Sequence, residues 1–296
     1  MKLLSDFDGV WTNPNAEGVA QGEYLDRTLA DWTSDPLRAA EWIRAARRAT
    51  RREPTRWGWL SNGRISAFAD EDPFIQHSAL LHYVHDHSTQ DAVAGAMRDG
   101  ALAEGFADLD VFANHNHARA VEQVVRQRGP GILPEAAAAG RRLLETGTEI
   151  VVVSNSTPDK LLDWFEHANV PRTLHPEYRD GALCVRGSAR KFVLGGGARG
   201  TLDLGGTAFE IDRPSYEAIL LDERPDAVVG DAFSLDLALP LALRRGKEEW
   251  KHVRLFWLIH PYTPGWLKDI VCQHAPEVEP VEGGFAALAA LLERPS

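Results

Sequence analysis

Short apolar runs with little polar alternation mark the candidate strands of this chain. Runs of this kind are typical of parallel strands that are buried on both faces of a sheet. They predict four strands, at KLLSDF (2–7), TEIVVVSNS (148–156), DAVVGD (226–231) and HVRLFWLI (252–259). The first run is separated from the other three by a long segment of different character.

Helical patterns lie between the later runs. The segment at 133–147 has a proline near its start and a glycine at its end, and the segment at 157–170 begins with Thr-Pro-Asp, which suits a helix N-terminus. A helix is also predicted at 213–225, after a glycine-rich stretch at 192–215 that indicates a hairpin or an irregular excursion. This alternation predicts an α/β fold with a Rossmann-like open parallel sheet.

The segment between the first and second runs is rich in helix formers, arginines and tryptophans and has almost no β-branched runs. Amphipathic spacing predicts helices at 35–52, 71–88 and 116–129. Pro130-Gly131 marks the return to the α/β pattern. We therefore predict two domains, an α/β core of residues 1–13 and 131–296 and a mostly α-helical insertion of residues 14–130.

Composition narrows the class of protein. The 32 basic and 43 acidic residues give a formal charge of −11, which argues against a nucleic-acid-binding surface spread over the molecule. Two cysteines without CxxC spacing indicate neither a disulfide framework nor a zinc knuckle. No apolar stretch approaches the roughly 18 residues of a membrane span, and acid follows too soon after the first residue for a secretory signal. We expect a soluble, cytoplasmic protein without nucleic-acid or membrane partners. Its oligomeric state does not follow from the sequence.

Polar residues follow three of the predicted strands at the point where each strand ends. In open parallel sheets, ligands bind at the carboxyl ends of the strands. An acidic turn after one strand is common, but the joint pattern is much harder to obtain by accident. The residues in question are Asp6 and Asp8, then Ser154 and Asn155, then Asp231 with Asp236 five positions later.

Four motifs in this order resemble those of the haloacid dehalogenase superfamily of phosphohydrolases. They are DFDGV at 6–10, VVVSN at 151–155, a lysine in GSARKF that is best matched by Lys191, and GDAFSLD at 230–236. The resemblance covers residues 1–13 and 131–296. The insertion lies where the helical C1-type cap of that family lies, although the cap itself carries no specific match.

The resemblance implies a phosphatase that acts on a small phosphorylated metabolite. Asp6 would attack phosphorus to form an aspartyl-phosphate, and Asp8 would protonate the leaving oxygen and then activate water. Because a carboxylate and a phosphate dianion repel each other, a divalent cation is required, and Mg²⁺ prefers oxygen ligands. The implied Mg²⁺ ligands are Asp6, the backbone carbonyl of Asp8, Asp231 and, through water, Asp236. The implied phosphate-binding groups are Ser154, backbone amides near Asn155, and Lys191.

Two alternatives to a phosphatase stay open. A phosphomutase or phosphotransferase would use the same motifs and pass the phosphoryl group to a second substrate. A catalytically silent binding protein on this fold is the third hypothesis, which the filled acidic positions disfavour. Asp8 also separates classes within the superfamily, because members that cleave carbon–halogen bonds lack this second acid.

The phosphate-binding lysine has two candidates. Lys191 lies 40 residues before Asp231, a long gap that the glycine-rich stretch can absorb. Lys160 lies on the predicted helix after VVVSNS, where we expect it to point to solvent. We favour Lys191, because the lysine has to reach the charge in the cleft.

Histidines and arginines of the insertion are less informative. We interpret the histidines as partly buried or surface residues, with contact to the substrate as the alternative, because a zinc site needs three or four converging ligands. Arg44, Arg48, Arg51 and Arg52 share a helical face that we interpret as solvated. The loop HPYTPGW (260–266), after the last predicted strand, borders the expected cleft. The histidines are His77, His82, His85, His87, His115 and His117.

Overall fold

The computed structural model describes residues 1–197 and 200–293. The chain forms two compact units. The sheet unit comprises Met1–Asn13 and the described part of Pro130–Ser296, and the helical unit comprises Pro14–Gly129. The boundary therefore lies between Gly129 and Pro130, one residue before the position expected from the sequence.

Strands and helices are numbered in chain order over the described residues. The strands are β1 (Lys2–Ser5), β2 (Gly58–Ser61), β3 (Arg64–Phe68), β4 (Glu149–Val153), β5 (Arg172–Leu174), β6 (Leu183–Arg186), β7 (Thr201–Leu204), β8 (Thr207–Glu210), β9 (Ala227–Gly230), β10 (Arg254–Ile259) and β11 (Val278–Glu282). The helices are α1 (Asn15–Asp31), α2 (Pro36–Arg52), α3 (Ile75–His87), α4 (Ala92–Ala103), α5 (Leu109–Arg128), α6 (Pro134–Glu145), α7 (Pro158–His167), α8 (Pro214–Glu223), α9 (Ala238–Gly246), α10 (Gly265–His274) and α11 (Gly284–Leu292). A π-helical turn spans Phe233–Leu237 and a 3₁₀ turn spans Glu248–Trp250.

The sheet unit is built on a seven-stranded sheet in the order β11-β10-β9-β1-β4-β6-β5. All of its strand pairs are parallel, which confirms the predicted α/β fold with a Rossmann-like open parallel sheet. The four predicted strands are its central members β1, β4, β9 and β10. Strands β5, β6 and β11 were not predicted, because they are short and the two edge strands are partly exposed, so they lack a long apolar run.

The register of the central strands aligns their carboxyl ends. Ser5, the last residue of β1, lies opposite Val152 of β4 and Val229 of β9. The residues that follow these strands therefore emerge at the same edge of the sheet. This edge is where the candidate site is assembled.

The chain after β1 turns back into the core of the sheet unit. Trp11 is fully buried, its indole Nε1 donates to Ser5 Oγ at 2.9 Å, and its ring lies 5.0 Å from Phe165 and 4.4 Å from Phe285. Gly140 on α6 leaves room for this ring, because a Cβ at this position would lie 2.4 Å from the indole. The DFDGV turn is thus anchored on both sides, by β1 and by Trp11.

The helical unit contains α1 to α5 and one antiparallel hairpin, β2–β3. The predicted helices are confirmed as α2, α3 and the second half of α5. Ile43 of α2 is buried, and the four arginines predicted to share a solvated face are exposed, namely Arg44, Arg48, Arg51 and Arg52. The hairpin was not predicted. Its signal is the Asn62-Gly63 pair, both with positive φ, which is the usual sequence of a tight hairpin turn. Over the described residues, no helix has the length and hydropathy needed to cross a membrane.

His77 lies on the buried face of α3. Its Nε2 donates to the carbonyl of Gly18 at 2.7 Å, and its Nδ1 accepts from Arg47 at 3.3 Å. Gly22 permits this approach, because a Cβ there would lie 2.7 Å from the imidazole. Burial above all, with the positive charge of Arg47, lowers the pKa of His77 to about 3. The imidazole is therefore neutral in the folded protein at ordinary pH.

His77 makes stability depend on pH in one direction. The pKa of His77 is about 3 in the folded protein and 6.5 in the unfolded chain. Its contribution to the free energy of unfolding is therefore fully present above pH 6.5 and is lost as the pH falls toward 3. We expect His77→Gln to flatten the fall in the free energy of unfolding over this range, by up to about 1.4 kcal/mol per pH unit. Urea denaturation at several pH values measures this slope. Replacement of the exposed His85 of α3 by Gln is the control, and equal slopes for both variants would contradict the assignment.

The other histidines of α3 pack against aromatic rings or face solvent. His87 stacks on Tyr83 with ring centroids 3.9 Å apart, and His82 lies 5.0 Å from Trp57. His85 is exposed. These three positions agree with the interpretation that the histidines are partly buried or surface residues, whereas His77 is buried.

Candidate active site

Three carboxylates meet at the carboxyl edge of the sheet. Asp6 directly follows β1, and its backbone N donates to Val229 of β9 at 2.9 Å. Asp231 directly follows β9, and Asp236 comes from the π-helical turn. One oxygen atom of each carboxylate lies within 4.8 Å of the other two. The carboxyl ends of β1 and β9 thus bring these three predicted site residues together.

The π-helical turn directs Asp236 back toward the strand ends. Asp236 Oδ2 accepts from the backbone N of Ala232 at 3.1 Å, and Tyr216 donates to the backbone carbonyl of Asp236 at 3.0 Å. Gly230 lets the turn pack closely, since a Cβ there would lie 2.3 Å from the Asp236 Cβ. Both Asp231 and Asp236 are buried.

Lys191 joins two of these carboxylates. Its Nζ contacts Asp6 Oδ1 and lies 2.5 Å from Asp236 Oδ1, and only 3% of its side chain is exposed. Its backbone is held as well: its N donates to Asn155 Oδ1 at 2.7 Å, and its carbonyl accepts from Arg213. The hairpin β7–β8 and helix α8 take up the long gap in sequence between Lys191 and Asp231.

Asp6 and Lys191 both have shifted pKa values. Burial and the charge of Asp236 raise the pKa of Asp6 well above its ordinary value, and Lys191 opposes this only in part. Burial favours a neutral lysine, but Asp236 and Asp6 outweigh it and hold the pKa of Lys191 above its usual range. Lys191 is therefore a fixed positive charge in the centre of an acidic group.

The loop HPYTPGW, which follows β10, supports Asp231 from the other side. Tyr262 of this loop donates to Asp231 Oδ2 at 2.7 Å, and the indole of Trp257, in β10 itself, donates to the Asp231 carbonyl at 2.8 Å. His260 donates from Nε2 to the Gly9 carbonyl at 2.7 Å and stacks on the Tyr262 ring. Gly9 has φ +77°, and a Cβ there would lie 2.2 Å from Asp231 Oδ2. The DFDGV turn and Asp231 are thus fixed by one loop.

Asp8 has different neighbours from Asp6. Ser156 Oγ donates to Asp8 Oδ2 at 3.5 Å. Asp8 Oδ1 is buried without a hydrogen-bond partner in the described parts of the chain, and Lys160 Nζ lies 4.0 Å from it. Ser154 is connected to this group, because its Oγ accepts from the backbone N of Ser156 at 3.0 Å.

The prediction that Lys160 points to solvent is wrong. Only 14% of its side chain is exposed, and Nζ lies 4.5 Å from the centre of the Trp164 ring and 5.9 Å from that of Phe7. Lys160 and Trp164 are four residues apart on α7 and so share one face of the helix. Helical spacing gave no sign that this face turns toward the strand ends.

The structure thus gathers the predicted site residues into two neighbouring groups. The first contains Asp6, Asp231, Asp236 and Lys191, with Asn155 holding the Lys191 backbone, and the second contains Asp8 with Ser154 behind it. Sequence reasoning missed the supporting residues. Ser156, His260 and Tyr262 stand in stretches that had been noticed, whereas Arg213 and Tyr216 carried no signal.

Comparisons with known proteins add little to this geometry. No family model matches the chain, and no curated protein matches it either. Among solved structures, the chain is similar to a 2-haloacid dehalogenase from Pseudomonas syringae pv. tomato DC3000, with 15% sequence identity over 98% of this chain and 97% of that one and a TM-score of 0.41. A likeness at this level assigns no activity.

Proposed function

We propose that the chain is a Mg²⁺-dependent phosphatase of the haloacid dehalogenase superfamily, hydrolysing a small phosphorylated metabolite through an aspartyl-phosphate. The observation that carries this proposal is the group of Asp6, Asp231 and Asp236 around Lys191 at the strand ends, with the second acid Asp8 beside it. Asp6 is the nucleophile in this proposal and Asp8 the proton donor. This pair favours phosphoryl transfer over carbon–halogen cleavage.

The residues present fit a magnesium ion. Magnesium prefers oxygen ligands, and the carboxylates of Asp6, Asp231 and Asp236 offer oxygen atoms within 4.8 Å of one another. Lys191 contacts two of these carboxylates, those of Asp6 and Asp236. The backbone carbonyl of Asp8 would be a further ligand. When bound, Mg²⁺ offsets the repulsion between the Asp6 carboxylate and the phosphate dianion.

The proposed reaction has two steps. The Asp6 carboxylate forms a bond to phosphorus as the bond between phosphorus and the ester oxygen breaks, and Asp8 gives its proton to that oxygen. Asp8 then takes a proton from water, whose oxygen attacks the aspartyl-phosphate and releases inorganic phosphate together with the Asp6 carboxylate. Lys191 and Ser154, with backbone amides near Asn155, hold the transferred phosphoryl oxygens and offset their charge.

Two other activities remain to be separated from this one. A phosphotransferase or phosphomutase would share the first step and pass the phosphoryl group to a hydroxyl of a second substrate. A dehalogenase would release a halide ion, which needs no proton as a leaving group. The presence of Asp8 is the feature that favours a phosphoester for this chain.

The direct test measures released phosphate and released halide. Purified protein with Mg²⁺ is incubated with p-nitrophenyl phosphate and a panel of phosphorylated metabolites, and separately with 2-chloropropionate. We expect phosphate release that is lost with EDTA, and no chloride release. Chloride release without phosphate release, or phosphate found only on a second organic product, would overturn the proposal.

Tyr262 is expected to act through Asp231. Because its hydroxyl fixes one oxygen of a proposed Mg²⁺ ligand at 2.7 Å, Tyr262→Phe should weaken Mg²⁺ binding by about 10-fold or more. Calorimetric titration with MgCl₂ measures this without any substrate. Tyr24→Phe, in the helical unit, is the matched control, and equal Mg²⁺ affinity in the two variants would contradict the role of Tyr262.

A further inference from the structure

One backbone carbonyl of the DFDGV turn is held by a side chain from a distant part of the chain. The turn is closed by the carbonyl of Phe7, which accepts from the backbone N atoms three and four residues later at 3.3 and 2.9 Å. Asp8 and Gly9 lie inside the turn, and the Gly9 carbonyl accepts from His260 Nε2 at 2.7 Å. Because a carbonyl only accepts, Nε2 is the ring nitrogen that carries the hydrogen.

Gly9 gives a physical reason for this support. Its φ is +77°, and a Cβ there would lie 2.2 Å from Asp231 Oδ2, so the position requires glycine. Glycine also adopts many other backbone conformations at little cost. The residue that lets the turn pack against Asp231 therefore does not by itself keep the turn in one conformation. The hydrogen bond from His260 restricts the peptide group that follows Gly9.

The carboxylate of Asp8 depends on the conformation of this turn. In the described parts of the chain its polar contacts are long, with Ser156 Oγ 3.5 Å from Oδ2 and Lys160 Nζ 4.0 Å from Oδ1. Contacts of this length restrain a side chain only weakly. The direction of the Asp8 side chain is therefore set mainly by the backbone of Asp8 and Gly9.

His260 is well placed to restrain that backbone. It directly follows β10, and its backbone N donates to Thr263 Oγ1 at 2.9 Å while its carbonyl accepts from the backbone N of Thr263 at 3.0 Å. Its ring stacks on that of Tyr262, with centroids 4.9 Å apart and planes 20° apart. The imidazole thus has a fixed position next to the turn.

We infer that His260 is a positioning residue that keeps the proton donor Asp8 within reach of the leaving oxygen, through the Gly9 carbonyl. The inference rests on the proposed phosphatase function and adds a residue to it. A proton donor has to lie within about 3 Å of the atom that it protonates, so a small shift of the turn reduces its effect. Asp6 is held separately, by its backbone hydrogen bond to β9 and by Lys191.

Two esters that differ in their need for a proton test this role. p-Nitrophenolate leaves readily without a proton, whereas the phenolate of phenyl phosphate is more basic and gains more from a proton donor. The measured quantity is kcat/KM with Mg²⁺, because it reports the step in which the ester bond breaks. His260→Phe keeps a ring beside Tyr262 and removes the donor. We expect it to lower kcat/KM for phenyl phosphate about 10-fold more than for p-nitrophenyl phosphate, a part of the roughly 10²-fold or more that proton transfer contributes.

Hydrogen exchange provides a second measurement, which needs neither Mg²⁺ nor substrate. In the whole chain, we expect His260→Phe to raise the exchange rates of the Val10 and Trp11 backbone amides, which close the turn. His260→Gln retains a donor and should keep these rates, and the ratio of the two kcat/KM values, close to those of the wild-type protein. His252→Phe, at an exposed histidine, should leave all of them unchanged. Thermal unfolding of each variant verifies that the fold is retained.

The outcomes distinguish this inference from the proposed function. An equal fall in kcat/KM for both esters in His260→Phe overturns the inference alone, because it indicates a general loss of structure or of metal binding. An unchanged ratio, or unchanged exchange in the turn, also overturns it. If the wild-type protein hydrolyses no phosphomonoester, the proposed function fails and the inference fails with it.

Discussion

Replacing Asp6 by asparagine is expected to lower phosphatase turnover by at least about 10³-fold, because an amide does not supply the attacking carboxylate oxygen. Asp6 is held in place by the hydrogen bond of its backbone N to Val229 and by Lys191. The measurement is phosphate release under saturating substrate with Mg²⁺. A substrate with a radiolabelled phosphoryl group adds a second measurement, since acid-quenched wild-type protein should carry label and the variant should not.

A matched control uses an aspartate that is remote from the strand ends. Asp163→Asn, at an exposed position of α7, should retain the wild-type rate and the label. Asp6→Asn that turned over at a similar rate to this control would show that the nucleophile lies elsewhere. Normal turnover without label in the wild-type protein would argue against the covalent intermediate.

Replacing Lys191 by methionine is expected to lower the free energy of unfolding by about 3–5 kcal/mol, because removing one partner of a buried ion pair leaves uncompensated charge. Two carboxylates lose their contact, those of Asp6 and Asp236. Methionine has a similar length, so the change is mainly one of charge. Urea denaturation at pH 7 without added metal measures the effect.

A second substitution tests the cause of this loss. Adding Asp236→Asn to Lys191→Met removes one of the stranded charges, so the double variant should lose less stability than the two single variants together. Lys251→Met, at an exposed lysine, should change the free energy of unfolding by about 0.5 kcal/mol or less. Strictly additive losses would show that packing, and not charge, accounts for the role of Lys191.

If Mg²⁺ binds at the proposed site, it should affect the stability of Lys191→Met and of Asp6→Asn differently. The Lys191→Met protein has a more negative group of carboxylates, so added Mg²⁺ should recover part of its lost stability through binding to the folded state. Asp6→Asn removes a ligand and should respond to Mg²⁺ less than the wild-type protein does. The two responses are measured in the same denaturation experiments, repeated with MgCl₂.

The local sequence was sufficient to predict those elements that depend on a single strand or turn. The apolar runs of β1, β4, β9 and β10 have few alternatives to burial on both faces, so they identified the parallel sheet and the edge at which Asp6 and Asp231 emerge. The same holds for the proline and threonine signals at the start of α7. Each of these features is a property of neighbouring residues.

Where local signals were weak, only the tertiary structure showed which secondary-structure element forms. Strands β5 and β11 are edge strands with exposed positions, and their pairing depends on β6 and β10. In the helical unit, the hairpin β2–β3 is too short to form a periodic pattern. Each of these elements is stabilised by contacts with residues distant in sequence, which a local pattern does not record.

The difference between what the sequence predicts and what the tertiary structure determines is clearest for Lys191 and Lys160. The sequence by itself determined that acidic and polar side chains would meet at one edge of a parallel sheet, because long apolar runs indicate parallel strands, whose carboxyl ends share one edge. Only the tertiary structure decided that Lys191 lies between Asp6 and Asp236 and that Lys160 turns toward Asp8. A lysine side chain is long and flexible, and its direction is set by carboxylates and aromatic rings that distant segments bring to it.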